Sequence, residues 1–201
     1  MPQNASDIIV TGARVFVAPV GSTLPAPSLA VDAAWPTGWV DVGFTLEPTK
    51  LNYKFDVLEI FVEQSMGAVR RRRTKEEASV ETVLAEHTGG SLALALAAVA
   101  TTVAATTTVV GYETVTLGGD PNLPLYMVGV EGGYNDADED FFPIRLFLWL
   151  ATPADGGTLE YAKDKPAGIT LKLNALADAS KPRKEQLIKI VRVTQHITPV
   201  I

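Results

Sequence analysis

Apolar and polar residues alternate with a period of two along most of this chain, and this pattern predicts β-strands with one buried face. Turn residues separate the alternating segments, and the longest break is a Pro/Gly-rich loop at 19–38. The predicted strands are 13–20, 38–46, 54–65, 76–86, 112–117, 123–132, 141–152, 168–177 and 185–195.

Two of these strands form a predicted long hairpin at 55–86. In the first strand, Glu59 and Glu63 lie on the face opposite the aliphatic residues. In the second strand, Glu77 and Glu81 again share a face opposite aliphatic residues. If the strands pair, the hairpin has one apolar and one acidic surface, as in sheets with one solvated side. We therefore expect these four glutamates to form an acidic wall.

One α-helix is predicted directly after the hairpin. Thr88 or Ser91 can accept a hydrogen bond from the free amides of its first turn, and an apolar stripe with helical spacing continues to about Ala100. The uncharged segment 92–110 is long enough to cross a bilayer, but Ala and Thr dominate it and no basic residue flanks it. A helix followed by a strand, without membrane insertion, is the better interpretation.

These elements predict one domain, 1–201, that is mainly β with one flanking α-helix (α+β). The residues are 47% hydrophobic, and the mean hydropathy is high for a soluble monomer. This favours apolar surface covered by other chains, although a strand-rich fold with few long polar helices gives a similar value. The absence of cysteine excludes disulfides, thiol catalysis and cysteine-based metal sites. It is also typical of a protein made in a reducing cytoplasm.

Four consecutive arginines, Arg70, Arg71, Arg72 and Arg73, stand out in a chain whose net charge is −6. In a strand they divide between two faces, which makes a poor patch for a phosphate backbone, and the nearest preceding aromatic residue is Phe61. Arginine pairs well with carboxylates, of which the chain has 23. Ion pairs between subunits are the favoured interpretation; a solvated hairpin and direct nucleic-acid contact are the alternatives.

Candidate chemistry is sparse. Asp136, Asp138 and Asp140 alternate like the start of a calcium loop, but Phe141 and Phe147 occupy the places that require Gly and Glu. A solvated acidic loop is the expected structure there. The two histidines, His87 and His196, are far apart in sequence and lack partners at ligand spacing. We predict no catalytic, cofactor-binding or metal-binding residues, and a protein that is not an enzyme.

The order of elements resembles the tail tube (major tail) proteins of long-tailed bacteriophages. The resemblance covers most of the chain and rests on "GWVDVGFTLEP", on the hairpin "DVLEIFVEQSMGAVRRRRTKEEASVETVLAE", on the helix "TGGSLALALAA" and on the C-terminal strands "FFPIRLFLWLAT" and "EQLIKIVRV". It implies a β-sandwich or half-barrel whose sheets join in a six-membered, β-lined ring. Stacked rings would form the hollow tail tube through which DNA leaves the head.

The resemblance also implies roles for individual residues. Glu59, Glu63, Glu77 and Glu81 would line an acidic lumen, and Arg70–Arg73 would lie at a contact between subunits or rings. The loop at 19–38 would reach neighbouring rings. The implied partners are other copies of the chain, a tape-measure protein, tail terminator and initiator proteins, and DNA in passage. The implied location is the virion tail, after synthesis in the host cytoplasm.

Three other classes of protein stay open from the sequence. A tube subunit of a contractile injection system would share the ring architecture. A virion decoration or binding module would remain monomeric or trimeric. An enzyme on a β scaffold is disfavoured because no triad or metal cluster is evident in the sequence.

Overall fold

The computed structural model of this chain describes residues 11–135, 141–154, 156–164 and 166–194. Within these ranges the chain forms eleven strands and one helix, in agreement with the predicted mainly β class with one helix. The strands are β1 (Arg14–Pro19), β2 (Val40–Asp41), β3 (Lys50–Ile60), β4 (Arg70–Leu84), β5 (Val99–Val103), β6 (Tyr112–Thr116), β7 (Tyr126–Asn135), β8 (Phe141–Pro153), β9 (Leu159–Glu160), β10 (Gly168–Leu176) and β11 (Ile188–Arg192). The helix, α1, is Gly89–Ala95.

Nine of the strands form one antiparallel sheet, and seven of them follow one another in the order β2-β1-β7-β8-β10-β4-β3. Two further members lie off this path, since β11 pairs with β8 and β9 pairs with β10. β5 and β6 form a separate two-stranded hairpin. The large sheet is not closed into a barrel, and its end strands are β2 and β3.

The main core lies on the face of the sheet that α1 covers. Leu94 and Ala95 of the helix pack there with buried residues of five strands and with Val42. The helix begins where predicted, because Thr88 accepts a hydrogen bond from the Ser91 amide while the Ser91 hydroxyl accepts one from the Thr88 amide. The predicted extension to Ala100 is wrong: the helix ends at Ala95, and Ala97 has a positive φ of 51°.

The opposite face of the sheet is covered by the Pro/Gly-rich loop at 19–38. Trp35 of this loop stacks on Phe16 of β1, with ring centroids 4.1 Å apart and planes 12° apart. Trp39, just after the loop, meets the Trp35 ring edge-on at 4.9 Å, and Phe147 of β8 completes the cluster. The loop therefore packs on the chain's own sheet, and its reach to neighbouring rings stays a prediction.

A buried ion pair fastens the same loop. The Arg145 Nε donates to the Glu131 carboxylate at 2.6 Å, and both side chains are 1% exposed. The Arg145 guanidinium also donates to the carbonyl oxygens of Ala26 at 3.1 Å and of Leu29 at 2.6 Å. Glu131 in turn accepts from the indole nitrogen of Trp35 at 3.2 Å. The buried ion pair and the aromatic cluster thus hold the loop on the same part of the sheet.

The predicted strand at 38–46 is mostly wrong. Only Val40–Asp41 forms a strand, and Thr45 makes a single bridge to Leu84. The chain turns at Gly43, whose φ is 90° and whose amide donates to the Asp41 carboxylate at 3.0 Å. A residue with a side chain is strained at such a φ, so the glycine ends the strand.

The β3–β4 hairpin confirms the predicted pairing and extends beyond the rest of the sheet. β10 pairs with β4 only along Ser79–Leu84, so residues 70–78 of β4 pair with β3 on one side and with no described strand on the other. Every residue of β3 except Asn52 is exposed. Among the described helices there is none with the length and apolar character that a bilayer crossing requires.

Candidate functional site

The register of the β3–β4 hairpin determines which side chains share a face. Lys54 lies opposite Glu77, and Glu59 lies opposite Arg71. Between these pairs the register shifts, because Asp56 pairs with Lys75 whereas Val57 pairs with Arg73. Thr74 is the extra residue of this bulge.

One face of the hairpin continues across β10, and we call it the polar face. Its central members are two cross-strand pairs, Lys54 with Glu77 and Lys172 with Glu81. The Lys172 ammonium lies 3.3 Å from the Glu81 carboxylate. The polar face consists of Lys50, Asn52, Lys54, Asp56, Lys75, Glu77, Ser79, Glu81, Thr170, Lys172 and Asn174. Toward the tip, the same side of the hairpin carries Leu58, Ile60, Arg70 and Arg72.

The charges on the polar face are mixed. Lys75 pairs with Glu77, and this hydrogen bond lowers the pKa of the Glu77 carboxyl and raises the pKa of Lys75. Lys50 lies 3.8 Å from Glu47 at the edge of the face. Carboxylates and ammonium groups therefore alternate, and each glutamate of the face has a lysine beside it.

The predicted acidic wall of four glutamates is wrong in its geometry. Glu77 and Glu81 lie on the polar face, but Glu59 lies on the opposite face, 2.6 Å from the Arg71 guanidinium. Glu63 lies beyond the end of β3, in the turn segment between the strands. The physical reason is parity: Glu59 is five residues from Lys54, the partner of Glu77, and an odd number of steps reverses the face.

The opposite face of the projecting hairpin is amphipathic, and we call it the aromatic face: Tyr53, Phe55, Val57, Glu59, Arg71, Arg73 and Glu76. The Arg73 guanidinium lies 4.6 Å from the Phe55 ring centroid and donates to the Tyr53 hydroxyl at 3.2 Å. Its hydrogen bond to Glu76 at 3.1 Å raises the pKa of Arg73. Phe55 nevertheless stays 47% exposed, so this face retains uncovered apolar surface.

The predicted division of the four arginines is confirmed. Arg71 and Arg73 lie on the aromatic face with carboxylate partners from their own chain. Arg70 and Arg72 lie opposite Ile60 and Leu58 on the other face. Their side chains make no hydrogen bond or ion pair with any residue that the structure describes. Two arginines are thus satisfied within the hairpin, and two are open to a partner.

The remaining sequence candidates add no chemical site. His87 packs against the Tyr161 ring at 5.8 Å, and its Nε2 is buried without a hydrogen-bond partner among the described residues. His196 and the acidic segment 136–140 lie outside the described residues. Within the described ranges no three metal-binding side chains cluster.

The family of the chain follows from a comparison with known protein families. The sequence model of a family described as phage tail tube protein matches residues 1–138. The chain belongs to the phage tail tube protein family. The match contains the β3–β4 hairpin, α1 and the β5–β6 hairpin. No curated protein matches the sequence.

Membership of this family gives the general role of the chain. It is a structural protein of the virion tail, and a tail tube subunit assembles with copies of itself into a tube. The hairpin that projects from the sheet, with its polar and aromatic faces, is the candidate functional site of this subunit. Sequence reasoning found the hairpin and the arginines, but it missed the lysines that neutralise Glu77 and Glu81.

Proposed function

We propose that this tail tube subunit forms six-membered rings that stack into a hollow tube, and that phage DNA leaves the head through the channel. The polar face carries this proposal, because it is a broad hydrophilic surface shared by β3, β4 and β10. Such a surface fits a water-filled channel better than a contact between subunits, whose centre is depleted of charge.

Charge balance gives the polar face its suitability for DNA. A basic wall would hold phosphates through counterion release, and a purely acidic wall would repel them strongly. On the polar face four lysines oppose three carboxylates, and each glutamate has a lysine beside it. The charges nearly cancel, so this part of the wall offers DNA neither strong attraction nor strong repulsion. Glu77 and Glu81 remain lumen candidates, while Glu59 and Glu63 do not belong to this surface.

The aromatic face and the tip of the hairpin support the proposed contacts between subunits. Phe55, Phe61 and Met66 expose apolar surface there, next to Arg70–Arg73. Burial of apolar area is the main driving force of association. Neighbours would also pair the open strand edges that an isolated sheet leaves exposed. Contacts with a tape-measure protein and with tail terminator and initiator proteins follow from the same proposal.

Electron microscopy of the purified subunit tests the proposal directly. We expect negatively stained rings or hollow tubes, with six subunits in end-on class averages. A monodisperse monomer at high concentration would contradict the proposal.

Reversing the charges of the aromatic face is expected to abolish assembly. In the double variant Arg71→Glu/Arg73→Glu the contact surface loses its cations, while exposed pairs of this kind contribute only about 0–1 kcal/mol to folding. The variant should therefore keep the circular dichroism spectrum and melting temperature of the subunit but form no rings. Arg70→Glu/Arg72→Glu is the matched control for the other face. If both variants assemble like the wild type, the arginines are merely solvated.

Neutralising the glutamates of the polar face is expected to slow DNA passage. In Glu77→Gln/Glu81→Gln the lysines lose their partners, so the channel wall becomes basic and retains phosphates. Particles built with this subunit should have normal tails and slower DNA ejection, most clearly at low salt. Glu59→Gln, on the aromatic face, should not change ejection. Loss of tails in the double variant would instead place these glutamates at a contact.

A further inference from the structure

The large sheet leaves an opening between the projecting hairpin and β11, and we call this opening the mouth. β10 leaves β4 at Ser79, and among the described strands β11 pairs only with β8, so β4 and β11 each have an unpaired edge at this opening. A groove of about 890 Å³ fills this space. Its lining includes Leu51, Tyr53, Leu176, Ile188, Ile190, Arg73, Arg183 and Lys184.

The mouth combines an apolar floor with a cationic rim. Ile190 is 58% exposed although it lies on β11, whose Ile188 packs against the main core. Arg183 and Lys184 are exposed, and neither side chain makes an ion pair or hydrogen bond within the described part of the chain. Arg73 is partly neutralised by Glu76. A partner that fits this mouth is apolar and either uncharged or acidic.

The β5–β6 hairpin has these properties. Val99 and Val110 are 65% and 80% exposed, and every residue of both strands except Val115 is exposed. The sequence contains no lysine or arginine between Lys75 and Arg145. From residue 88 to 125 its only charged residues are Glu113 and Asp120. The Glu113 carboxylate accepts a hydrogen bond from the Gly89 amide at 2.6 Å, and Asp120 lies beyond the end of β6. The hairpin is thus an apolar projection with an uncharged tip.

The mouth and the β5–β6 hairpin lie toward opposite ends of the subunit. The β5–β6 hairpin packs against α1, which follows the end of β4 at Leu84, whereas the mouth lies beside Arg73 near the start of β4. At about 3.3 Å per strand residue these two points of β4 are roughly 35 Å apart. Surfaces that complement each other from opposite ends join copies head to tail, and such a contact repeats along an assembly.

We propose that the β5–β6 hairpin of one subunit inserts into the mouth of the next subunit. The insertion places apolar residues of the hairpin against Ile188, Ile190 and Leu176, and its uncharged tip brings no cation to Arg183 and Lys184. The occupant is a second copy of this chain, so the inference rests on the proposed self-assembly into stacked rings and names the surfaces that meet in it.

Cysteine cross-linking tests the contact, because the chain has no cysteine of its own. Val110→Cys/Ile190→Cys carries one thiol on the exposed hairpin and one in the mouth. Treating assembled tubes of this variant with a short bismaleimide should give a ladder of covalent multimers on a denaturing gel. Each single variant should give at most dimers. Val110→Cys/Val40→Cys is the matched control, since Val40 is 62% exposed but lies on the far edge of the sheet.

A charge test on the same hairpin does not depend on cross-linking. Val110→Lys adds a cation that meets Arg183 and Lys184, so we expect loss of tubes; Val110→Glu should assemble like the wild type. Both substitutions fall on an exposed side chain and should leave the subunit folded.

Two results would overturn the inference while leaving the proposed function intact. One is wild-type tubes in which the cysteine pair gives no more multimers than its control. The other is normal assembly of Val110→Lys. Absence of rings and tubes from the wild type would instead contradict the proposed function.

Discussion

Replacing Arg145 with Met is expected to lower the free energy of unfolding of the dilute subunit by about 3–5 kcal/mol, measured by urea denaturation. The substitution keeps an unbranched apolar stem but removes the guanidinium partner of Glu131, which is 1% exposed. It also leaves the carbonyl oxygens of Ala26 and Leu29 without their donor. A buried charge without compensation is among the most destabilising changes a core can receive.

The exposed arginine of β1 is the control for this prediction. Arg14 pairs with Asp41 at 2.6 Å and with Asp32 at 3.2 Å, but its side chain is 42% exposed. Arg14→Met should therefore lower the free energy of unfolding by about 1 kcal/mol or less. Equal losses for the two variants would show that burial does not set the strength of the Arg145 pair.

Replacing Trp35 with Ala is expected to lower the free energy of unfolding by about 3–5 kcal/mol, in the range of large-to-small changes at buried aromatic residues. Trp35 is 9% exposed, stacks on Phe16 and donates its indole N–H to Glu131. Its loss removes the apolar contact that holds the loop at 19–38 on the sheet. Far-UV circular dichroism during urea unfolding measures the stability, and faster proteolysis within the loop reports its release.

Gly129 offers a second way to disturb the same contact. A Cβ at this position would come within 2.4 Å of the Trp35 ring, so Gly129→Ala must push the ring off the sheet. We expect the same faster proteolysis with a smaller loss of about 1–3 kcal/mol. Val40→Ala, at an exposed site, should change neither measurement. A loop that stays protected in both variants would contradict the role of Trp35.

Period-two alternation was sufficient to locate most strands. The predicted strand 141–152 is observed as Phe141–Pro153, and 168–177 as Gly168–Leu176. β10 alternates as a strand with one buried face, whereas β8 is buried on both faces, between the main core and the aromatic cluster. The segment 38–46 failed because Gly43 turns the chain, a backbone event that alternation does not detect.

The face on which Glu59 lies could not be predicted from each strand taken alone. Alternation places residues relative to their own strand, whereas the relation between two strands depends on register. The neutralising lysines were missed for the same reason, since Lys172 meets Glu81 only through the pairing of β10 with β4. A search for complementary charges across candidate registers would have found them.

The Glu131–Arg145 pair did leave a signal in the sequence. Each is a charged residue within an otherwise apolar strand, and the two strands follow each other along the chain. Because β7 and β8 pair antiparallel, Glu131 and Arg145 are direct cross-strand partners. What the sequence could not show is that the loop at 19–38 returns to the same place and supplies the carbonyl groups.

The bulge at Thr74 constrains how this hairpin can change during evolution. It is the one point along β4 where the register with β3 shifts, and it places Arg71 and Arg73 on the aromatic face rather than on the polar face with Lys75. Deleting or adding one residue in this strand would move every side chain between that point and the tip to the opposite face of the hairpin. Hairpins of this design can therefore change length by two residues, or by one residue with a compensating bulge, and keep the same chemistry on each side.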